Sequence, residues 1–333
     1  MRAFITGATG LLGSNLARQL IDQGHQVTAL VRSKAKAAAQ FAGLDVDVVE
    51  GDMERVAAFA PQLDGHDVLF HTAAYFREAG APGDHWPKLE QINVLGTMAL
   101  LREAERRGIK KVIYVSSSGV IGGRPNGQPS DETVPPDDIT FQSLYFKSKV
   151  VAEERLLEFL KTSALPVVQI LPAWIYGPGD AAPTQAGQLV LDFINRRLPA
   201  EVDGYGSPVD VRDVAASMIA AVERGRSGER YIIGGDADYS FGQINAMLEE
   251  VSGVPRPALK LPYTAGLAVA FVMENIAKLT GKPTVVTVNG LRTIRLRRPL
   301  SSAKAQRELG VMPRLFVDTL RDTVAWYRAN PIG

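Results

Sequence analysis

Two side chains four residues apart, Tyr145 and Lys149, lie in a stretch whose spacing predicts a helix over Leu144 to Lys161. Residues at i and i+4 share one helix face, so this spacing sets a phenol beside an ammonium. A phenol with its reference pKa of about 10 exchanges protons poorly near neutral pH, and a neighbouring positive charge brings that value down. The chemistry on offer is general acid–base exchange of a proton with a substrate oxygen. Tyr-x-x-x-Lys also arises by chance on exposed helix faces, and the pair gains its weight from what precedes it in the chain. There is no cysteine, which removes disulfides, thiolate nucleophiles and cysteine metal ligands together.

What precedes it is Gly7-Ala8-Thr9-Gly10-Leu11-Leu12-Gly13, three glycines at three-residue intervals. The apolar run Ala3-Phe4-Ile5 leads through Thr6 into the turn. A helical pattern follows from Ser14 to Gln23, with Leu16 and Leu20 on one face and Gly24 closing it. Strand, glycine turn and helix form the context in which backbone can approach a pyrophosphate at a helix N-terminus. The next strand, Gln26 to Val31, ends on Arg32 with Lys36 close behind, where a site selective for NAD ends on an acid for the ribose 2′-hydroxyl. Arginine can stack on adenine and pair with a 2′-phosphate. NADP(H) is therefore the expected cofactor, with NAD(H) as its alternative.

These residues need a scaffold, and the first half of the chain supplies the pattern for one. Short β-branched runs at Val46–Val49, Val68–Phe70, Val112–Val115 and Val167–Leu171 alternate with helical stretches, as in parallel strands joined by helical crossovers. Within the Leu144–Lys161 helix, Val150, Leu156, Leu157 and Leu160 are the predicted core stripe. The fold class is α/β, a doubly wound parallel Rossmann sheet with a smaller C-terminal substrate-binding region. Residues 1–172 form the dinucleotide-binding domain and 206–234 return to it through a helix at Asp210-Val211-Arg212-Asp213-Val214 and a strand at Arg230–Gly234. Residues 173–205 and 235–333 form the smaller region, and the apolar segment Leu261 to Met273 reads as a buried core helix or a hydrophobic lid.

Taken together, Thr6–Gly13, Tyr145 and Lys149 make the chain resemble the extended short-chain dehydrogenase/reductases, in the branch of dihydroflavonol reductases and 3β-hydroxysteroid dehydrogenases. The resemblance implies further roles. Ser117, with Ser118 as the competing choice, would hydrogen-bond the substrate oxygen, Tyr145 would move the proton, and Lys149 would orient the nicotinamide ribose. Asp52 would receive the adenine amino group and Met53 would cover the ring. Thr72, Ala73 and Ala74 would let backbone pass the cofactor, Pro172 would lie beside the nicotinamide, and Asn93 would count among the cofactor-binding residues while supporting the site or a proton relay. His71 is expected to be structural.

Two departures bear on the substrate. Dehydratases of this kind carry Asp-Glu after the catalytic hydroxyl, where this chain has Ser118-Gly119. Many nucleotide-sugar epimerases carry an asparagine where Trp174 stands, and an indole walls an apolar pocket rather than binding a diphosphate. The implied activity is reduction of an apolar or aromatic ketone or aldehyde. Arg292, Arg295, Arg297 and Arg298 keep a nucleotide-sugar epimerase as the rival, because arginines can hold a diphosphate. A non-catalytic NADP sensor of the same fold would have lost the Tyr–Lys pair.

Composition narrows the partners. With 37 Lys+Arg against 36 Asp+Glu the net charge is +1, which gives no field for nucleic acid. The apolar Ala265–Met273 run is short of the roughly 18 residues a bilayer crossing needs, so stable membrane insertion is not expected. The expected partner is a small carbonyl or alcohol substrate, the expected location the cytoplasm. A homodimer through two helices per subunit stays open, since many members pair so.

Overall fold

The computed structural model describes residues 1–76, 83–280 and 287–332. Strands buried on both faces read as continuous apolar runs, and that is how the central sheet is written. Its seven parallel strands are β1 (Arg2–Thr6), β2 (Gln26–Val31), β3 (Asp47–Glu50), β4 (Val68–His71), β5 (Lys111–Val115), β6 (Val167–Pro172) and β9 (Arg230–Ile233). They lie in the order β9-β6-β5-β4-β1-β2-β3. The chain builds outward from β1 to β3, then crosses back to lay β4 on the other side of β1. That reversal opens a crevice at the carboxyl ends of β1 and β4, where open α/β sheets bind ligands.

Helices cover both faces. On one, α1 (Leu11–Asp22) packs Leu16, Ala17 and Leu20 against Val214 and Met218 of α6 (Val211–Arg224). On the other, α3 (Thr97–Arg106) and α4 (Leu144–Leu160) bury Leu100, Leu101, Ala104, Ala152 and Leu156. Short α2 (Lys34–Gln40) follows β2 and is capped by Ser33. α1 begins three residues earlier than Ser14, because Gly10 serves as its extended N-cap. In α4 the predicted stripe holds for Val150 and Leu156, but Leu157 is 49% exposed. The face turned inward instead carries Ser148, Lys149, Ala152 and Glu153, so polar site residues occupy positions that the apolar period assigned to leucine.

Beside the carboxyl ends of the strands sits a second core of Tyr176, Val190, Phe241, Leu248, Phe316 and Leu320. It is built by β7 (Trp174–Tyr176), α5 (Gln185–Ile194), α7 (Phe241–Ser252) and α10 (Phe316–Ala329). β7 pairs in parallel with β8 (Pro208–Asp210), and the chain then returns through α6 and β9 to the main sheet. Two more helices, α8 (Tyr263–Thr280) and α9 (Val288–Arg295), pack on each other. The expectation of a core helix at Leu261–Met273 is corrected here. In α8 the small residues Gly266, Ala270 and Ala277 are buried, while Val269, Phe271, Val272 and Met273 are exposed.

Candidate active site

The glycines do what side chains would forbid. Gly7 has φ of +69°, and a Cβ there would lie 2.7 Å from the Ala73 amide nitrogen. A Cβ on Gly13 would lie 2.3 Å from the Gly7 carbonyl oxygen. Around this turn the ends of β1 and β4 are stitched together. Thr72 Oγ1 donates to the Thr6 carbonyl at 2.7 Å, and the Ala73 amide donates to Thr6 Oγ1 at 3.3 Å. His71 is fully buried between Thr6 Oγ1 (2.7 Å) and Thr97 Oγ1 (2.9 Å). Burial, helped by the Lys149 charge, holds its imidazole down at about 3, so the ring is neutral and structural.

From this turn a cleft of about 2280 Å³ runs across the carboxyl ends of the strands. Single small-molecule pockets span roughly 300–1,000 Å³, so the space admits a dinucleotide together with a substrate. Thr9, Gly10, Leu11, Leu12, Asp52, Met53, Thr72, Ala73, Ala74 and Pro172 line it. Asp52 also caps the short turn after it by accepting from the Glu54 amide at 2.9 Å. Arg32 and Lys36 line the far end and are exposed. They are joined by Arg18, whose guanidinium donates to the carbonyls of Ser14 (3.2 Å) and Gln40 (2.8 Å). Sequence reading passed over Arg18; its signal was a cation one turn beyond Ser14 on the helix that opens at the glycines.

At the other end Ser117, Ser118, Tyr145 and Lys149 share the cleft. Ser117 caps a short 3₁₀ turn, its Oγ accepting from the Gly119 amide at 3.1 Å. Gly119 is there because α4 presses on it: a Cβ would stand 2.2 Å from the Phe146 ring. Tyr145 is half-buried, with Phe76 edge-on at 6.4 Å between ring centroids. Lys149 is 2% exposed. Its Nζ donates to the Val115 carbonyl at 2.8 Å, lies 3.5 Å from the Tyr114 hydroxyl, and is 5.9 Å from the centre of the Tyr145 ring.

Burial pulls the Lys149 ammonium down to about 8, and the Glu153 carboxylate works against that fall. Glu153 lies four residues on, 5% exposed. It accepts from the Ser116 hydroxyl and from Arg230 at 3.2 Å, and Arg230 donates onward to the Glu132 carbonyl. Burial raises the Glu153 carboxyl, with Ser116 and Arg230 opposing. None of these partners was anticipated, although Tyr145, Lys149 and Glu153 fall at successive i, i+4 positions.

Asn93 stands behind the site rather than with the cofactor-binding residues. It does not line the cleft; it is buried in a π-helical turn, Glu90–Gly96. Its Oδ1 accepts from the Tyr75 amide at 2.8 Å, and its Nδ2 donates to the Tyr75 carbonyl at 2.9 Å and to Ser148 Oγ at 3.0 Å. Ser148 in turn donates to the Tyr145 carbonyl at 2.7 Å. The asparagine thus ties the irregular segment that follows β4 to the first turns of α4.

The far wall is mainly apolar, with Asp192, Asp238 and Asn245 as polar groups in its lining. Trp174 packs edge-on against Tyr176 (5.3 Å) and Phe241 (5.8 Å). Leu189, Leu198, Val202, Ile294 and Trp326 continue the lining. Of the four arginines, Arg297 and Arg298 reach the cleft. Arg298 is ion-paired with Asp137. Burial disfavours the Asp137 carboxylate, yet Arg298 and the Gly123 and Thr140 amides outweigh it and hold the group at about 2. Arg297 lies over the Tyr205 ring at 5.7 Å, and Arg295 pairs with Asp203. Among the described residues no cluster of three or more His, Asp or Glu is arranged to hold a metal ion.

Comparison with known proteins agrees with this architecture. Residues 3–234 match the NAD dependent epimerase/dehydratase family. The chain is 34% identical over 332 residues to sterol demethylase protein B of Methylococcus capsulatus, covering 98% of each. It is 33% identical over 333 residues to a Synechocystis protein provisionally named dihydroflavonol 4-reductase, covering 98% of this chain and 94% of the relative. The solved structure of gox2253 superposes with a TM-score of 0.85 at 35% identity, over 99% of this chain and 98% of that one.

Proposed function

The chain belongs to the NAD dependent epimerase/dehydratase family and is an NAD(P)-dependent oxidoreductase-type enzyme, and within that family we propose that it reduces an apolar ketone or aldehyde to an alcohol with NADPH. The observation that carries this reading is the wall at Trp174: the cleft that holds Tyr145 and Lys149 ends against packed aromatic and aliphatic side chains. A diphosphate-linked sugar calls for amides and free cations at that position. Of the two arginines that reach the cleft, Arg298 is spent on Asp137. Relatives named for a sterol and for a dihydroflavonol point to ring-bearing apolar substrates as well.

The glycine turn fits the cofactor, since Gly7 and Gly13, having no Cβ, let the turn close against Ala73 and against its own backbone, which leaves the N-terminus of α1 open to a pyrophosphate. Arg32, Lys36 and Arg18 bring three cations to the adenosine end, which suits a 2′-phosphate. When bound, the nicotinamide supplies the hydride. Ser117 Oγ donates a hydrogen bond to the substrate oxygen and fixes its position. The Tyr145 hydroxyl gives that oxygen its proton. Lys149, charged below about pH 8, favours the phenolate left behind.

A spectrophotometric screen tests the reading. Purified protein with NADPH is offered aromatic and alicyclic ketones and aldehydes, and separately nucleotide sugars, with absorbance loss and epimer formation followed in parallel. Consumption of NADPH with an apolar carbonyl is expected. Epimer formation without reduction of any carbonyl would assign the cleft to nucleotide-sugar chemistry, with Arg297 as the diphosphate contact.

A further inference from the structure

The stripe that α7 turns inward is Phe241, Ile244, Asn245, Leu248 and Ser252, the spacing of an apolar helix face. Two polar residues interrupt it, and they are treated differently. Ser252 bonds its hydroxyl back to the Leu248 carbonyl at 2.5 Å. Asn245 is 3% exposed and only half answered. Its Nδ2 donates to Glu201 Oε2 at 3.3 Å, while no group among the described residues donates to its Oδ1. The amide is fixed in this sense, because a carboxylate can only accept and Lys260 holds the other Glu201 oxygen at 4.0 Å. A buried amide oxygen without a donor is costly, and buried polar groups are paired as a rule.

Position says where the donor comes from. Asn245 lines the cleft, and its Oδ1 is the one buried side-chain atom of that lining without a partner among the described residues. The neighbouring polar groups of the cap wall are answered within the protein: Asp238 accepts from the Ser207 hydroxyl, and Asp192 accepts from Gln188 Nε2 at 2.8 Å. Phe241 stands one helical turn before Asn245 on the same face, with Trp174 edge-on to it at 5.8 Å. The aromatic wall therefore leads to an unanswered acceptor.

We propose that Asn245 Oδ1 accepts a hydrogen bond from a hydroxyl group of the substrate, carried at the end remote from the carbonyl. The substrate class is then a ring-bearing ketone or aldehyde with an apolar body and a distal hydroxyl. The placing of the carbonyl rests on the reductase reading, whereas the contact at Asn245 is a binding contact and can be read without turnover. An analogue that lacks the hydroxyl covers the amide oxygen and gives nothing back, which is how a buried polar group turns into selectivity.

The test uses two pairs of ketones that differ by one distal hydroxyl: flavanone with 4′-hydroxyflavanone, and 5α-androstan-3-one with its 17β-hydroxy derivative. Each is titrated calorimetrically into the protein saturated with NADP⁺, and kcat/KM with NADPH is measured separately. For at least one pair the hydroxylated member is expected to bind about tenfold more tightly or better. In Asn245→Leu, which keeps the volume and removes the acceptor, and in Asn245→Ala, which shortens the side chain, that preference should fall to within about twofold. Melting temperature and NADPH affinity report whether each variant is folded. Equal affinity within both pairs, failure of all four compounds to bind, or a preference that survives both substitutions overturns the proposal. Hydroxyl-selective binding without NADPH consumption would leave Asn245 in its role and remove the reductase reading; NADPH consumption at equal kcat/KM within both pairs would do the opposite.

Discussion

The two walls of the cleft are built on opposite rules. On the sheet side, buried charged and polar groups are answered: Lys149 by the Val115 carbonyl and by Glu153, Glu153 by Ser116 and Arg230, and neutral His71 by two threonine hydroxyls. On the cap side, apolar groups do the lining, and on α8 they reach the surface. A buried charge that loses its partner is costly, of the order of 3–5 kcal/mol. An apolar wall changes shape for a few kcal/mol at most. The sheet side is thus constrained to one chemistry, whereas the cap can change what it admits while the chemistry stays the same.

The largest effect should therefore come from the sheet side. Tyr145→Phe removes the proposed proton donor and nothing else from the wall, and a general acid contributes roughly 10²–10⁴-fold. Turnover should fall by about a thousandfold while NADPH binding, read by fluorescence titration, stays within about twofold. Retained turnover would mean that the buried network serves stability alone. Next in size is Arg32→Asp at the adenosine end. A charged hydrogen bond to phosphate is worth about 1.5–3 kcal/mol, so the ratio of kcat/KM for NADPH over NADH should fall by about ten- to a hundredfold. An unmoved ratio would shift the discrimination to Arg18 or Lys36.

How far the site was legible follows the same division. The strand Gln26–Val31, the turn from Thr6 to Gly13 and the helix from Leu144 could be read because their constraints are local: apolar runs, glycine's missing Cβ, the helical period. The lower-lying network could not. Arg230 meets Glu153 only because β9 pairs beside β6, a contact between residues 77 apart in sequence. Leu157 was misread because the inward face of α4 belongs to Lys149 and Glu153, and an apolar count gives such positions no weight. Asn93 was assigned to the cofactor from its neighbours in sequence, while a π-helical turn swings its amide toward Tyr75 and Ser148 instead. In α8 the composition was read correctly as apolar, but composition carries no direction.

On the cap side the expected effect is smaller and confined to the substrate. Trp174→Asn replaces an indole packed on Tyr176 and Phe241 with a short amide. Burial of an aromatic ring contributes about 1.5–3 kcal/mol, of which a partly exposed wall residue gives a fraction. KM for an apolar carbonyl should rise about tenfold, with kcat and the NADPH dissociation constant nearly unchanged. If kcat falls instead, Trp174 helps to hold the catalytic side chains and the two walls are not independent.

The smallest effect is also the most discriminating, because it asks whether Glu153 acts through Lys149 or merely fills space. Lys149 is faced by Tyr145 and Glu153 of its own helix, by the Tyr114 hydroxyl of β5 and by neutral His71 of β4, with Arg230 of β9 behind Glu153. Of these, Glu153 carries the negative charge that raises the Lys149 pKa toward its value of about 8. In Glu153→Gln that support is gone and Arg230 is left unneutralised, and both changes push the ammonium the same way, downward. In the proposed mechanism activity depends on the charged form, present below the pKa, so the alkaline fall in kcat/KM should move to lower pH, by about one unit. Glu153→Asp keeps the charge and should leave the limb close to its original position. A purely structural role would lower kcat/KM evenly at all pH values without moving the limb, and would make Glu153 a packing residue that happens to lie one turn beyond Lys149.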